Sequence, residues 1–286
     1  MNTKAFDSFF WAPTRMHKKY AVLDKKVGET PLQCLEQFRS MNPELSGVPL
    51  AYAGRLDPMA SGKLLVLIGE ECKVQERYHH LDKEYRFKVL FGISSDTADV
   101  LGMVKPCDTR VPSKEAINTA LKKYTGNIVL PYPQYSSKTV QGKPLHTWAL
   151  EGRLAEIDIP KKRSTVYELK LLRMETKTAQ EAYDEASCKI ETIPKVSDPR
   201  KALGNDFRRT AVRASWKRIL DINPRATYAI AEFQCISTSG TYMRSLAEAI
   251  GTEVGTCALA FSIDRLKIGS YRNLLPFLGV WVKIYS

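Results

Sequence analysis

The chain reads as an α+β protein. Segments with strand and helix character are mixed along it without the regular strand–helix repeat of a doubly wound sheet. Tyr85, Phe87, Val89 and Phe91 alternate with Arg86, Lys88 and Leu90, a period-two strand with an aromatic face. Helix starts are written at Thr30-Pro31, at Pro112-Ser113 and after Gly240-Thr241.

In chain order, residues 1–19 have mixed character and read as an N-terminal arm, leaving 20–286 as the folded unit. Tyr20–Asp24 is a short strand. Thr30 caps a helix with Pro31 at its first position, and Leu32, Leu35 and Phe38 give that helix one apolar face. A loop bounded by Gly54 and Gly62 opens into the apolar run Leu64–Ile68, a buried strand. After the aromatic strand, Asp96-Thr97 and Leu101-Gly102 are loop and turn signals. A helix runs through Glu115, Ile117 and Leu121 towards Gly126, and Thr165–Leu172 is the next strand. Residues 175–225 are acidic in their first half and basic in their second. Phe207, Val212, Trp216, Ile219 and Leu220 form a helical stripe there, capped by Asn205 or Asp206 and stopped at Asn223-Pro224. That helix either grips a polyanion or packs by its stripe, and the two are compatible. Tyr228–Cys235 is a strand, and Met243, Leu246, Ala247 and Ile250 mark a helix ending near Gly251 or Gly255. The apolar tail with Phe277, Leu278, Val280 and Trp281 is expected to pack on the body.

With 286 residues and 44% apolar content, the chain has length and composition for a sizeable core. Lys and Arg outnumber Asp and Glu by 43 to 31, and the resulting +12 makes a polyanion the natural partner. No apolar run reaches the roughly 20 residues of a membrane span, and the N-terminus lacks the pattern of a secretory leader, so a cytoplasmic location is expected. The six cysteines form no C-x-x-C pair, and the four histidines lie at no zinc-ligand spacing to them. Reduced, mostly buried thiols and no metal site are expected.

The most informative stretch is Gly54-Arg55-Leu56-Asp57-Pro58-Met59-Ala60-Ser61-Gly62. It displays one carboxylate on a stiff loop beside a buried strand. An Asp before Pro is by itself an ordinary turn residue. This run, however, resembles the G-x-L-D-P-x-A-S-G signature of the TruB family of tRNA pseudouridine synthases. Lys83-Glu84-Tyr85-Arg86 resembles the family's K-x-Y-R, Pro133–Lys138 with Gln141-Gly142-Lys143 its P-x-Y-S-A-x-K and following G-K, and Ser239–Leu246 its K-G-T-Y-I-R-S-L. Order and rough spacing agree from about Tyr20 to Tyr271.

The resemblance implies the pseudouridine synthase fold, a mixed, largely antiparallel sheet flanked by helices and loops. It implies isomerisation of uridine to pseudouridine in RNA, at the T-loop uridine of tRNA position 55. The N1–C1′ bond breaks, the uracil turns, and C5 joins C1′. Substrate and product are isomers, so no cofactor is required. On matched positions, Asp57 is the catalytic carboxylate, acting either on the sugar carbon or on a sugar proton. Tyr85 stacks on the extruded base, although its place on an aromatic strand face equally suits a core residue. Arg244 pairs with Asp57, Tyr242 is a second active-site tyrosine, and Ile263 is an apolar pocket residue. Lys138, Lys143, His146 and Arg153 are candidate RNA contacts, with the T stem-loop as partner and the protein as a monomer.

The chain departs from the family pattern at four places. Tyr52 stands where the family has a His that engages the extruded nucleotide, and it could stack instead. Lys25-Lys26 replaces a K-P pair. The family's C-terminal PUA domain is expected to be missing, since little follows Tyr271. Residues 175–225 are an insertion, expected to replace part of the lost RNA-binding surface. Two alternatives are a synthase for another RNA and a non-catalytic tRNA-binding or folding protein.

Overall fold

The computed structural model describes residues 18–196, 206–275 and 278–286. The expected arm lies outside them except for Lys18 and Lys19, as do Asn205 and Phe277. The elements are β1 Tyr20–Lys25, α1 Pro31–Met41, β2 Leu50–Ala53, β3 Ala60–Ile68, β4 Asp82–Phe91, β5 Ile93–Ser95, β6 Val104–Pro106, α2 Lys114–Lys123, β7 Gly126–Pro131, β8 Thr139–Val140, β9 Lys143–Pro144, α3 Leu145–Leu150, β10 Lys161–Thr178, α4 Ala179–Thr192, α5 Arg209–Ile222, β11 Thr227–Ser237, α6 Met243–Glu253, β12 Ala258–Leu275 and β13 Leu278–Ile284.

Nine strands form one mixed, mainly antiparallel sheet in the order β1-β3-β12-β4-β11-β10-β7, with β2 beside β3 and β13 beside β12. Among the described strands of this sheet, only β3 and β12 pair in parallel. This agrees with the α+β expectation. The end of the central strand β4 is buried on both faces, since Leu90 is as inaccessible as Phe87, Val89 and Phe91, while Arg86 earlier on the Leu90 face is exposed. Phe87 stacks on Phe233 of β11, with ring centroids 5.3 Å apart.

Helix starts follow the local chemistry. Thr30 and Gln33 form a reciprocal capping box at α1, and Ser113 caps α2. The apolar face of α1 differs from expectation: Leu32 is 54% exposed, and Cys34 joins Leu35 against β3 instead. Thr178 and Glu181 box the start of α4, a helix that the charge pattern of this region did not suggest.

The strand expected at Thr165–Leu172 continues to Thr178, and β11 opens at Thr227, so the segment between these paired strands is 179–226. Its helices α4 and α5 enter the main core through Ala186, Ile190, Val212, Trp216, Ile219 and Leu220. The Trp216 indole N–H donates to the Val100 carbonyl at 3.0 Å. The stripe of α5 is as expected apart from its beginning. Asp206, Phe207 and Arg208 are all left-handed, the helix starts at Arg209, and Phe207 leaves the stripe to line a pocket. In the tail, Trp281 packs on Tyr271 while Val280, Val282 and Ile284, which alternate onto the opposite face of β13, are exposed. The thiol expectation is corrected in both parts: Cys107 and Cys257 are joined in a disulfide, their segments brought together by the bond from Gly92 N–H to the Cys257 carbonyl and that from Cys107 N–H to the Gly92 carbonyl, and of the six cysteines Cys34 and Cys235 alone are buried.

Gly62 shows why the signature ends in glycine. It lies at φ +105° opposite Arg265 of β12, and a Cβ there would sit 2.3 Å from the Arg265 carbonyl oxygen. Gly62→Ala should therefore destabilise the fold by at least about 2 kcal/mol, read as a lower denaturation midpoint with unchanged m.

Candidate active site

Asp57 sits between β2 and β3 on a loop pinned from several sides. Leu56 and Met59 are buried anchors on either side of it. The Ala60 N–H donates to the Asp57 carbonyl at 3.0 Å, and the Gly28 N–H to the Pro58 carbonyl at 2.9 Å. Ser61 Oγ donates to Asp264 Oδ1 at 3.0 Å. Arg265, only 1% exposed, donates from beneath to the carbonyls of Lys63 at 2.7 Å and of Arg55 and Gly54 at 3.3 Å. The signature is thus largely a specification for one rigid loop, with Asp57 as the polar group it presents.

Arg244, in the first turn of α6, reaches that carboxylate in two-point fashion, Nε to Oδ2 at 2.8 Å and Nη2 to Oδ1 at 3.3 Å. The guanidinium is 4% exposed and is further held by the carbonyls of Thr97 at 2.9 Å and Tyr135 at 3.3 Å. Asp99 Oδ2 also lies 3.7 Å from Nε. Asp99 accepts from Thr97 Oγ1 at 2.7 Å and the Leu101 N–H at 2.9 Å. Burial outweighs these contacts and pushes the Asp99 carboxyl up to about 6. Ala98, between Thr97 and Asp99, is left-handed at φ 60°, a strain of roughly 1–3 kcal/mol retained where the loop meets Arg244. The Asp57 side chain itself is 38% exposed, leaving one face of the carboxylate open.

Of the other expected residues, Tyr85 and Tyr242 lie within electrostatic reach of Asp57, and Tyr52 lies in a separate cleft. Tyr85 is half-buried on β4, and burial raises its phenol while Arg265 beside it opposes the shift. Tyr242 is half-buried, edge-on to Tyr132 at 5.4 Å, and its phenol is raised by burial. Ile263 is buried on β12, paired with Phe87 and Ala60. Tyr52 lies on β2 and lines a cleft of 650 Å³ with Arg39, Gly54, Arg55 and Ser239. A second pocket of 140 Å³ lies against Asp57 and Arg244 and is walled by Tyr135 and by Ile190, Phe207 and Val212 of the insertion. Tyr85, Tyr242 and Ile263 do not line that second pocket.

The candidate RNA contacts lie in the 132–157 region. Lys143 pairs with Glu151 at 2.7 Å, and Arg153 with Glu156 at 2.7 Å, both cations lying over the Trp148 ring. Lys138 has no ion pair among the described residues and lies near the Tyr132 ring. His146 bonds back to the Ser136 carbonyl. In the insertion, Arg213 pairs with Glu191 and Lys217 with Asp221, so much of its basic character is locally matched.

Sequence reasoning missed several polar residues of the site. Asp99 could have been suspected from the two carboxylates of Asp96-Thr97-Ala98-Asp99 ahead of Gly102. Arg265 lies two positions after Ile263, which was expected as an apolar pocket residue. Lys25, noted only as a departure, is buried with its ammonium on the carbonyls of Lys26 and Glu29. Burial pushes it down to about 8, against the pull of Glu29 and Asp57. Lys83 is buried beneath Ser239 and pushed down to about 7 by burial and by Arg265.

Glu248, one turn beyond Arg244, is pushed up to about 7 by burial. It takes up a proton on folding, so its contribution to stability is complete below the ordinary glutamate range and is lost as pH rises through about 7. The melting temperature of the wild type minus that of Glu248→Gln should fall between about pH 5 and about pH 8. A difference that stays flat would show that this carboxyl titrates normally.

Residues 47–192 match the model of the TruB family pseudouridylate synthase N-terminal domain. The chain is 27% identical over 250 residues to the tRNA pseudouridine synthase B of Caldicellulosiruptor saccharolyticus, covering 87% of this chain and 67% of that protein. It is 25% identical over 257 residues to the enzyme of the same name from Borreliella afzelii, covering 90% and 72%. A solved chain of a Cbf5-Nop10-Gar1 complex superposes with a TM-score of 0.52 at 17% identity, over 90% of this chain and 51% of that one, a likeness of fold. The chain thus spans about half the length of that solved relative. With more than half of its residues inside the family match and its signature loop built around Asp57, the chain belongs to the TruB family of pseudouridylate synthases.

Proposed function

We propose that this protein isomerises uridine to pseudouridine in RNA, with the T-loop uridine at position 55 of tRNA as its substrate. The observation that carries the reading is the two-point Asp57–Arg244 pair, with one face of the carboxylate open. A fixed carboxylate suits work at the sugar carbon, either by attack at C1′ or by removing a sugar proton. Cleavage of N1–C1′ frees the uracil, C5 then bonds to C1′, C5 loses its proton and N1 gains one. The names of the relatives, tRNA pseudouridine synthase B, support tRNA as the substrate class.

The target base must leave its stack, at a cost on the order of a few kcal/mol. Tyr85 offers a ring for stacking, Ile263 an apolar surface and Tyr242 a second phenol near Asp57. Tyr52 stands in the cleft beside Gly54 and takes the place of the family histidine in engaging the nucleotide. Phosphates are met by Lys138, Lys143 and Arg153. The latter two exchange a carboxylate partner for phosphate, which makes their gain smaller than that of Lys138.

The test is pseudouridine formation in an unmodified tRNA transcript, mapped to single nucleotides, for wild type and Asp57→Asn. Product at position 55 from wild type alone is expected. Product at another site would keep the chemistry and replace the substrate. Salt-sensitive binding with no product, unaltered by Asp57→Asn, would favour an RNA-binding protein.

A further inference from the structure

The tip of the insertion is tied by the ion pair of Arg208 to the loops that hold Arg244. Arg208 forms a two-point ion pair with Asp96, its Nη2 lying 3.2 Å from Oδ1, and its guanidinium lies 4.3 Å from the centre of the Tyr135 ring. Asp96 immediately precedes Thr97, and the carbonyls of Thr97 and Tyr135 are two of the partners that hold Arg244. Arg208 therefore fastens together the two loops that supply the backbone cradle of Arg244.

The tip is built for this. Arg209 is buried and donates to the carbonyls of Ile190, Ile193 and Pro194, and to Asp206 at 2.8 Å. Asp206 in turn accepts from the Val196 N–H. Three successive non-glycine residues, Asp206 to Arg208, are held left-handed, a conformation that persists only where surroundings impose it. From the far side, Asp96 is fixed by the Met103 N–H at 2.8 Å.

We propose that Arg208 is a positioning residue for the Asp57–Arg244 pair, acting from the insertion through Asp96 and Tyr135 on the carbonyls that aim Arg244. The inference rests on the reading of that pair as the catalytic centre. It gives the insertion a role in the geometry of the site, distinct from binding RNA by its charge.

The experiment uses the full chain with Arg208→Ala, Arg208→Lys, Asp96→Asn and the Arg208→Ala/Asp96→Asn double variant, with thermal midpoints checked for each. Solvent exchange of the Arg244 Nε–H, followed by nitrogen-15 NMR without RNA, is the first readout. Single-turnover rate at saturating tRNA transcript, with affinity measured separately, is the second. In Arg208→Ala the Nε–H should exchange on the order of tenfold faster and the saturated rate fall by a similar factor, with affinity within about twofold. Asp96→Asn should reproduce this, the double variant should be no worse, and Arg208→Lys should recover part of it, keeping the charge without the flat stack. Unchanged Arg244 exchange in Arg208→Ala and Asp96→Asn would overturn the proposal. So would a loss confined to affinity with a shallower salt dependence, which would make Arg208 a phosphate ligand. A wild type inactive on tRNA would defeat the substrate reading while the exchange measurement still decided this one.

Discussion

Arg244 is a full positive charge in a dry place, and the site is arranged around making that tolerable. An unpaired buried guanidinium would cost several kcal/mol, and breaking a buried pair typically costs about 3–5 kcal/mol. Asp57 supplies the opposite charge from the signature loop, Asp99 a second carboxylate, and Thr97 and Tyr135 the carbonyls that occupy the remaining donors. Three separate loops therefore have one shared reason to converge. The same electrostatics account for Asp99: it is close enough to help hold Arg244, yet so desolvated that its carboxyl is pushed up to about 6.

A second buried arginine does the complementary task on the backbone. Arg265 ties the carbonyls of Gly54, Arg55 and Lys63, so it fixes the loop while Arg244 fixes the side chain that the loop presents. The parallel pairing of β3 with β12 places Gly62 directly against Arg265, and only a residue without a Cβ permits that approach. Sheet topology and the open face of one carboxylate are linked through these contacts. The insertion joins the same system: α4 and α5 complete the core with Trp216 and its neighbours, and their connection puts Phe207 and Arg208 in the pocket that Asp57 and Arg244 line.

Strands β1, β3, β4 and β11 and part of β10 were legible because short apolar or alternating runs mark them, as in Phe87, Val89 and Phe91 of β4, whereas β12, with Asp264, Arg265 and Lys267 among its residues, was not expected. Asp57, Tyr85, Tyr242 and Arg244 were legible through short motifs whose residues are near in sequence. The remainder required distances that no local pattern carries. Arg265 is separated from Gly54 by more than two hundred positions and reads as one more charge on a strand. Leu32 fits a helical stripe but falls on a side of α1 that is left exposed among the described residues. Phe207 fits the stripe of α5 until the ion pair of Arg209 with Asp206 and its bonds to the α4 terminus bend the chain left-handed ahead of the helix. The charge runs of the insertion suggested an exposed basic surface, whereas folding pairs Arg213 with Glu191 from the acidic half.

The central claim is that Asp57 and Arg244 act as one unit, and a double-variant cycle on the single-turnover rate tests it most directly. Asp57→Asn, Arg244→Gln and the double variant would be compared at saturating tRNA transcript. For a unit, each single change removes nearly the whole effect, and the double variant is expected to be no slower than the slower single variant. Losses that multiply, with the double variant slower by the product of the two factors, would contradict the claim and leave Arg244 as a structural charge that happens to lie beside the carboxylate.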